Sequence, residues 1–128
     1  MDRNRIINQL GLVPDGGLSV VDIQMVEWGR DLLLGCIYRT IPEDGPPDAP
    51  VHFNIIFKEC REIRYRVYAH IGMHEHGSIP AEADVAELIL GQANHRKDAS
   101  VLTNLFGLTI SYGSIQLEMN DTLVTLEK

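Results

Sequence analysis

The stretch VHFNIIFKECREIRYRVYAHI, residues 51–71, decides the fold class. Its apolar side chains fall on every second residue: Phe53, Ile55 and Phe57 before a polar break, Ile63, Tyr65 and Val67 after it. A period of two is the signature of strands with one buried face. The break, Lys58 to Glu62, suits a hairpin that sets Phe57 opposite Ile63, Ile55 opposite Tyr65 and Phe53 opposite Val67. The other face then carries His52, Asn54, Arg64, Arg66, Tyr68 and His70. A slip of one residue would turn the whole apolar set toward water, so the register is strongly specified.

Three further turns are predicted outward from this stretch. Gly29-Arg30 suits a two-residue type II′ turn, pairing Met25 with Leu34, Ile23 with Cys36 and Val21 with Tyr38, and leaving Asp22, Gln24, Trp28 and Arg39 on the other face. Near the C-terminus the apolar phase is even through Phe106, Leu108, Ile110 and Tyr112, then odd through Ile115, Leu117 and Met119. Either a tight turn at Gly113-Ser114 or a continuous strand bulged at Gly113 produces that switch. Asn120-Asp121 reads as a last two-residue turn, with Met119 opposite Thr122, Leu117 opposite Val124 and Ile115 opposite Leu126.

Ahead of the strands, Asp2 is placed to cap a short helix over residues 1–12, in which Ile6, Ile7 and Leu10 recur at helical spacing before Gly11 and Pro14. The run IPEDGPPDAP, residues 41–50, has the proline and acid content of an irregular loop. Residues 80–92 fit a helix through Val85, Leu88 and Ile89 or a strand through Ala86, Leu88 and Leu90; the surrounding β pattern favours the strand. The expected architecture is a single mainly β domain over residues 1–128, with residues 18–128 forming an antiparallel sandwich or flattened barrel of about seven or eight strands.

Composition narrows the function classes. The apolar fraction of 45% and charged fraction of 23% suit a folded globular chain. A net charge of −7 argues against nucleic acid as a partner, because such binders neutralise phosphates with Lys and Arg. Only residues 51–78 are not acidic, with four basic and three acidic side chains. No stretch approaches the roughly 20 apolar residues of a membrane span, and MDRNRIINQL lacks the apolar run of a secretory leader. Two cysteines make no disulfide framework, so the expected setting is a reducing cytoplasm.

Three groups of residues offer chemistry. His70, His74 and His76, with Glu75, form the densest set of potential metal ligands, suited to zinc or another transition metal, and His52 or His95 would have to complete a site. Solvated loop histidines are the plainer reading, so no cofactor is expected. Lys58, Arg64, Arg66 and Tyr68, with Arg61 and His70, suit a small anion or an acidic partner surface; a solvated sheet face is the competing reading. Of the cysteines, Cys36 alternates with core positions, while Cys60, beside Lys58 and Arg61, is the more reactive on paper and has no base tied to it by spacing. Trp28 suits a contact with the N-terminal helix or a partner, or the core.

Phosphate-loop, dinucleotide, C-x-x-C, H-E-x-x-H and G-x-S-x-G motifs are absent. The strings NHRKDASVLTNLFGLTISYGSIQLE, residues 94–118, and VHFNIIFKECREI, residues 51–63, resemble those of small uncharacterised β proteins of bacterial, particularly cyanobacterial, genomes. The shared pattern is an apolar strand, a Cys-containing turn and an L-T-N-x-F strand ending in Tyr-Gly. That resemblance implies a small β fold and brings no known activity to carry over. More distantly the layout is similar to that of immunity-type proteins that bind a toxin. The expectation is a non-enzymatic interaction or structural domain, self-associating, with an unidentified protein partner; the alternative is a metal- or small-anion-binding protein.

Overall fold

The computed structural model describes residues 2–40, 49–68, 81–91 and 97–126. It is mainly β, with an N-terminal helix α1 (Asp2–Gln9) and nine strands: β1 (Gly17–Val26), β2 (Asp31–Arg39), β3 (Val51–Lys58), β4 (Glu62–Val67), β5 (Ala83–Ile89), β6 (Lys97–Thr103), β7 (Phe106–Tyr112), β8 (Ser114–Met119) and β9 (Thr122–Thr125). All pair antiparallel in one sheet of order β4-β7-β6-β5-β1-β2-β3-β8-β9. Residues 80–92 supply β5, as the strand reading expected, although a bulge between Val85 and Glu87 leaves Ala86 exposed and turns Leu88 inward.

The hairpin predicted for residues 51–71 does not form. β3 lies between β2 and β8, setting Phe57 opposite Leu32 and Ile115, while β4 pairs with β7, setting Ile63 opposite Ile110. Residues 51–67 are one bent arm, and residues 106–119 are a second that pairs along both halves of it. At the bend Gly113 N–H donates to Lys58 O at 2.9 Å, Arg61 N–H to Ser111 O at 2.9 Å and Cys60 N–H to Arg30 O at 2.7 Å. The register then slips by one residue, from Lys58↔Ser114 to Glu62↔Ser111. Alternation constrains which face each residue takes and says nothing about which strand lies alongside, so a corner and a hairpin share one pattern.

The same corner explains the phase switch at Gly113: β7 runs into β8 as a bent continuation, the bulge reading, and no turn forms at Gly113-Ser114. The first hairpin does form, with a longer loop and a shifted register. Glu27, Trp28 and Gly29 all take positive φ (53°, 62° and 93°), Met25 pairs with Leu32 rather than Leu34, and a bulge at Val21 brings Val20 opposite Cys36 and Leu18 opposite Tyr38. Val21 is consequently exposed, against expectation, and Leu18 and Val20 enter the core. The final hairpin matches in every pair: Met119↔Thr122, Leu117↔Val124, and Leu126 N–H donating to Ile115 O, with Asn120 and Asp121 at φ 53° and 64°.

One cluster of apolar side chains fills the interior, including Leu32, Leu34, Phe53, Ile55, Phe57, Val101, Leu108, Ile110, Tyr112 and Leu117. Phe57 and Tyr112 meet edge-to-face at the corner, ring centroids 5.2 Å apart. Helix α1 covers one side with Ile6 and Ile7. Its Asp2 carboxylate accepts the Leu90 N–H at 2.7 Å and so ties the helix to the end of β5. No helix among the described residues is long and apolar enough to cross a membrane.

Candidate functional site

The corner decides where the basic residues of 58–68 go. Lys58, last in β3, turns to the base of β2 and pairs with Asp31 at 2.8 Å. Asp31 also accepts the Glu59 N–H, which helps hold Glu59 at φ 56°. The Lys58 hydrogen bond keeps the Asp31 carboxyl below its ordinary pKa, and the same contact raises that of Lys58. Lys58 therefore belongs to the corner and is separated from the other predicted anion-binding residues.

Arg64, Arg66 and Tyr68 do come together, on the outer face of β4. With Tyr65, Leu102, Gly107, Leu108 and Thr109 they line a shallow cleft of about 320 Å³. Gly107 makes the room: a Cβ there would stand 3.2 Å from the Tyr68 hydroxyl. Arg64 is already engaged, its Nε 3.0 Å from Glu62, and both side chains are well exposed. The set is two guanidiniums, one of them neutralised, and a phenol over a small-residue floor.

The inner face of β4 differs. Tyr65 and Val67 point toward the interior yet remain 50% and 53% exposed, because an apolar cleft of about 360 Å³ opens beside them, lined by Val20, Val21, Asp22, Ile23, Ala81, Ala83, Leu105 and Phe106. Tyr65 rests on Phe106, centroids 5.4 Å apart. Among the described strands β4 has one neighbour, β7. Tyr68 extends that ladder by donating its N–H to Leu105 O at 3.1 Å. Residues of an antiparallel ladder alternate between facing a partner and facing away, so Glu62, Arg64 and Arg66 also direct their backbone groups to β7. The N–H and C=O groups of Ile63, Tyr65 and Val67 point to the opposite side, where no strand pairs with them among the described residues.

A third cleft, about 420 Å³, lies on the other half of the sheet. A transverse row of paired residues, Asp22, Gly35, Asn54 and Glu118, crosses it, and His52 and Asp121 stand at its margin. Asn54 donates to Glu118 at 2.8 Å.

His70, His74, His76 and His95 lie outside the described residues; among the described residues no group of three or more His, Cys, Asp or Glu side chains is placed to hold a metal ion. Cys36 is buried and desolvation pushes its thiol up to about 12, an inert core position. Cys60 is half-buried in the corner, its Sγ 3.4 Å from Phe57 O. Trp28 touches neither helix nor core: it is fully exposed at the tip of the first hairpin, beside the exposed Met25 and Val26.

The open side of β4 and the apolar cleft under it escaped the sequence reading, because the assumed hairpin gave β4 the wrong neighbour. The half-polar inner set Ile63, Tyr65 and Val67, more polar than Phe53, Ile55 and Phe57, was the available signal. These features define an antiparallel β protein with an unpaired strand side and no assembled catalytic group among the described residues.

No family model matches the chain, and no curated protein matches it either. Among solved structures it is similar to an uncharacterized protein from Neisseria gonorrhoeae, with a TM-score of 0.57 at 14% identity, over 80% of this chain and 90% of that one. The likeness is one of fold.

Proposed function

We propose that this chain is a non-enzymatic protein-interaction domain that works as a self-associating β protein in the cytoplasm. The observation that carries the reading is β4: a strand with one side of its backbone unpaired among the described residues and with Tyr65 and Val67 half-exposed over an apolar cleft. Unpaired strand sides are templates for another chain and are normally covered or blunted. The inward positions here carry Ile63, Tyr65 and Val67, with none of the inward charges that blunt an edge. A full-length sample in sedimentation velocity tests the reading; a concentration-dependent shift to a larger species supports it, and a strict monomer that captures no protein partner refutes it.

A second reading, small-anion binding, rests on Arg64, Arg66 and Tyr68 sharing one cleft. Calorimetric titration with inorganic phosphate and with citrate tests it, and absence of saturable heat removes it. The zinc alternative on His70, His74 and His76 stands or falls with elemental analysis of untagged protein and cobalt titration.

A further inference from the structure

We infer that a second copy of this chain is the partner of β4, joined strand to strand about a two-fold axis through Arg64; the inference rests on the self-association reading above. Among the described residues of β4, Ile63, Tyr65 and Val67 offer backbone groups on the side where no described strand pairs, so the pairing must set odd residues opposite odd ones. That leaves few antiparallel registers, and the charges on the outer face separate them.

With Ile63 opposite Tyr65 of the second copy, Glu62 faces Arg66 of the second copy on both sides of the axis, and each Ile63–Tyr65 pair exchanges both its hydrogen bonds. The two Arg64 side chains meet on the axis, but each is already held by its own Glu62 at 3.0 Å. With Tyr65 opposite Tyr65, Arg64 would face Arg66 twice, like charge against like. With Ile63 opposite Ile63, Glu62 would face Arg64 twice, but Tyr65 would face Arg61, whose N–H is spent on Ser111 O at the corner; the Ile63–Ile63 pair alone would then exchange both its hydrogen bonds, against two Ile63–Tyr65 pairs in the first register, where it is Val67 that faces Arg61. Sliding the other way puts Arg66 against Arg66 on the axis. The first register is the one that combines opposite charges at both flanks with two fully hydrogen-bonded pairs. It also brings Tyr65 of each copy against Ile63 of the other, over the half-exposed inner face.

The axis position gives a direct test. Arg64 would face its counterpart at a non-hydrogen-bonded site, where Cα atoms of opposed strands stand about 4.5 Å apart, within disulfide reach. Arg64→Cys in a Cys60→Ser background should form a disulfide-linked dimer on mild oxidation, whereas Thr125→Cys on β9 should not. Arg66→Glu should weaken the dimer at least about tenfold in sedimentation equilibrium, since it sets Glu against Glu62. Glu62→Arg combined with Arg66→Glu should restore it. Tyr65→Pro should give a folded monomer by circular dichroism, because that N–H is not used in the β4–β7 ladder.

A dimer that survives Tyr65→Pro and gives no Arg64→Cys cross-link overturns this register while leaving self-association standing. Failure of the charge swap to rescue Arg66→Glu also overturns it. A wild-type monomer at all concentrations overturns both.

Discussion

The break at Lys58–Glu62 and the break at Asn120–Asp121 present the same written pattern, alternating apolar residues on each side of a few polar ones. One is a corner and the other a hairpin. At Asn120-Asp121 two consecutive residues sit at positive φ, 53° and 64°, which reverses the chain within two residues and fixes Met119 opposite Thr122. At the corner only Glu59 is left-handed, at φ 56°, and the bend is held by contacts with two other segments: Arg30 O and Asp31 at the start of β2, and Ser111 O in β7. A tight turn is a local device that its own residues specify. A sheet corner is a tertiary device whose contacts come from distant parts of the chain.

The largest difference between the two regions should appear on truncation. Phe57→Ala removes a fully buried ring packed edge-on to Tyr112 and should cost about 3–5 kcal/mol in urea unfolding. Leu123→Ala, in the hairpin's exposed strand, should stay within about 0.5 kcal/mol. If the two cost the same, the corner is not where the core is anchored.

A smaller effect is expected from the corner's ion pair. Asp31→Asn should cost about 1 kcal/mol at neutral pH, given the partial exposure of Lys58. The folded state holds the Asp31 carboxyl below its unfolded value of 3.8, so its contribution is complete above that pH and is lost as pH falls through the lower folded value. The melting temperatures of wild type and variant should therefore converge as pH drops below about 4. Glu82, lowered by its hydrogen-bonded pairing with Arg39, adds acid sensitivity that the Asp31 variant keeps.

Relieving the left-handed residues should raise stability slightly at both breaks. Asp121→Gly and Glu59→Gly should each gain up to about 1 kcal/mol, because glycine takes positive φ without steric cost. Equal gains would show that backbone strain is alike in the two devices and that contacts alone distinguish them. The mildest probe is chemical: a neutral thiol reagent should modify Cys60 in the folded protein, while Cys36, buried with a pKa of about 12, should react only on unfolding. Simultaneous modification of both would mean that the corner opens together with the core.

The candidate site was legible only in pieces. Arg64, Arg66 and Tyr68 share a face because they alternate within one strand, which the sequence states outright. A hairpin continues that face through the break and so adds Lys58 to them; the corner instead hands it to Asp31. The β6–β7 turn could have been read from the switch between Val101, Thr103 and Phe106, where the Thr103 hydroxyl accepts the Phe106 N–H at 2.9 Å. Trp28 gave no usable signal, since its full exposure follows from three left-handed residues in a row, a conformation composition does not announce.

What the sequence determined by itself is parity and local reversal: strand against helix, the inward side of most strand residues, the helix around Ile6 and Ile7, and the Asn120-Asp121 hairpin. These depend on side chains a few residues apart. Only the tertiary structure decided that residues 51–67 stay one bent arm, that β4 takes β7 as its partner and that the other side of β4 is left unpaired by the described strands. Alternation has a period of two whatever strand lies alongside, so the choice of neighbour is settled by contacts between residues far apart in the chain.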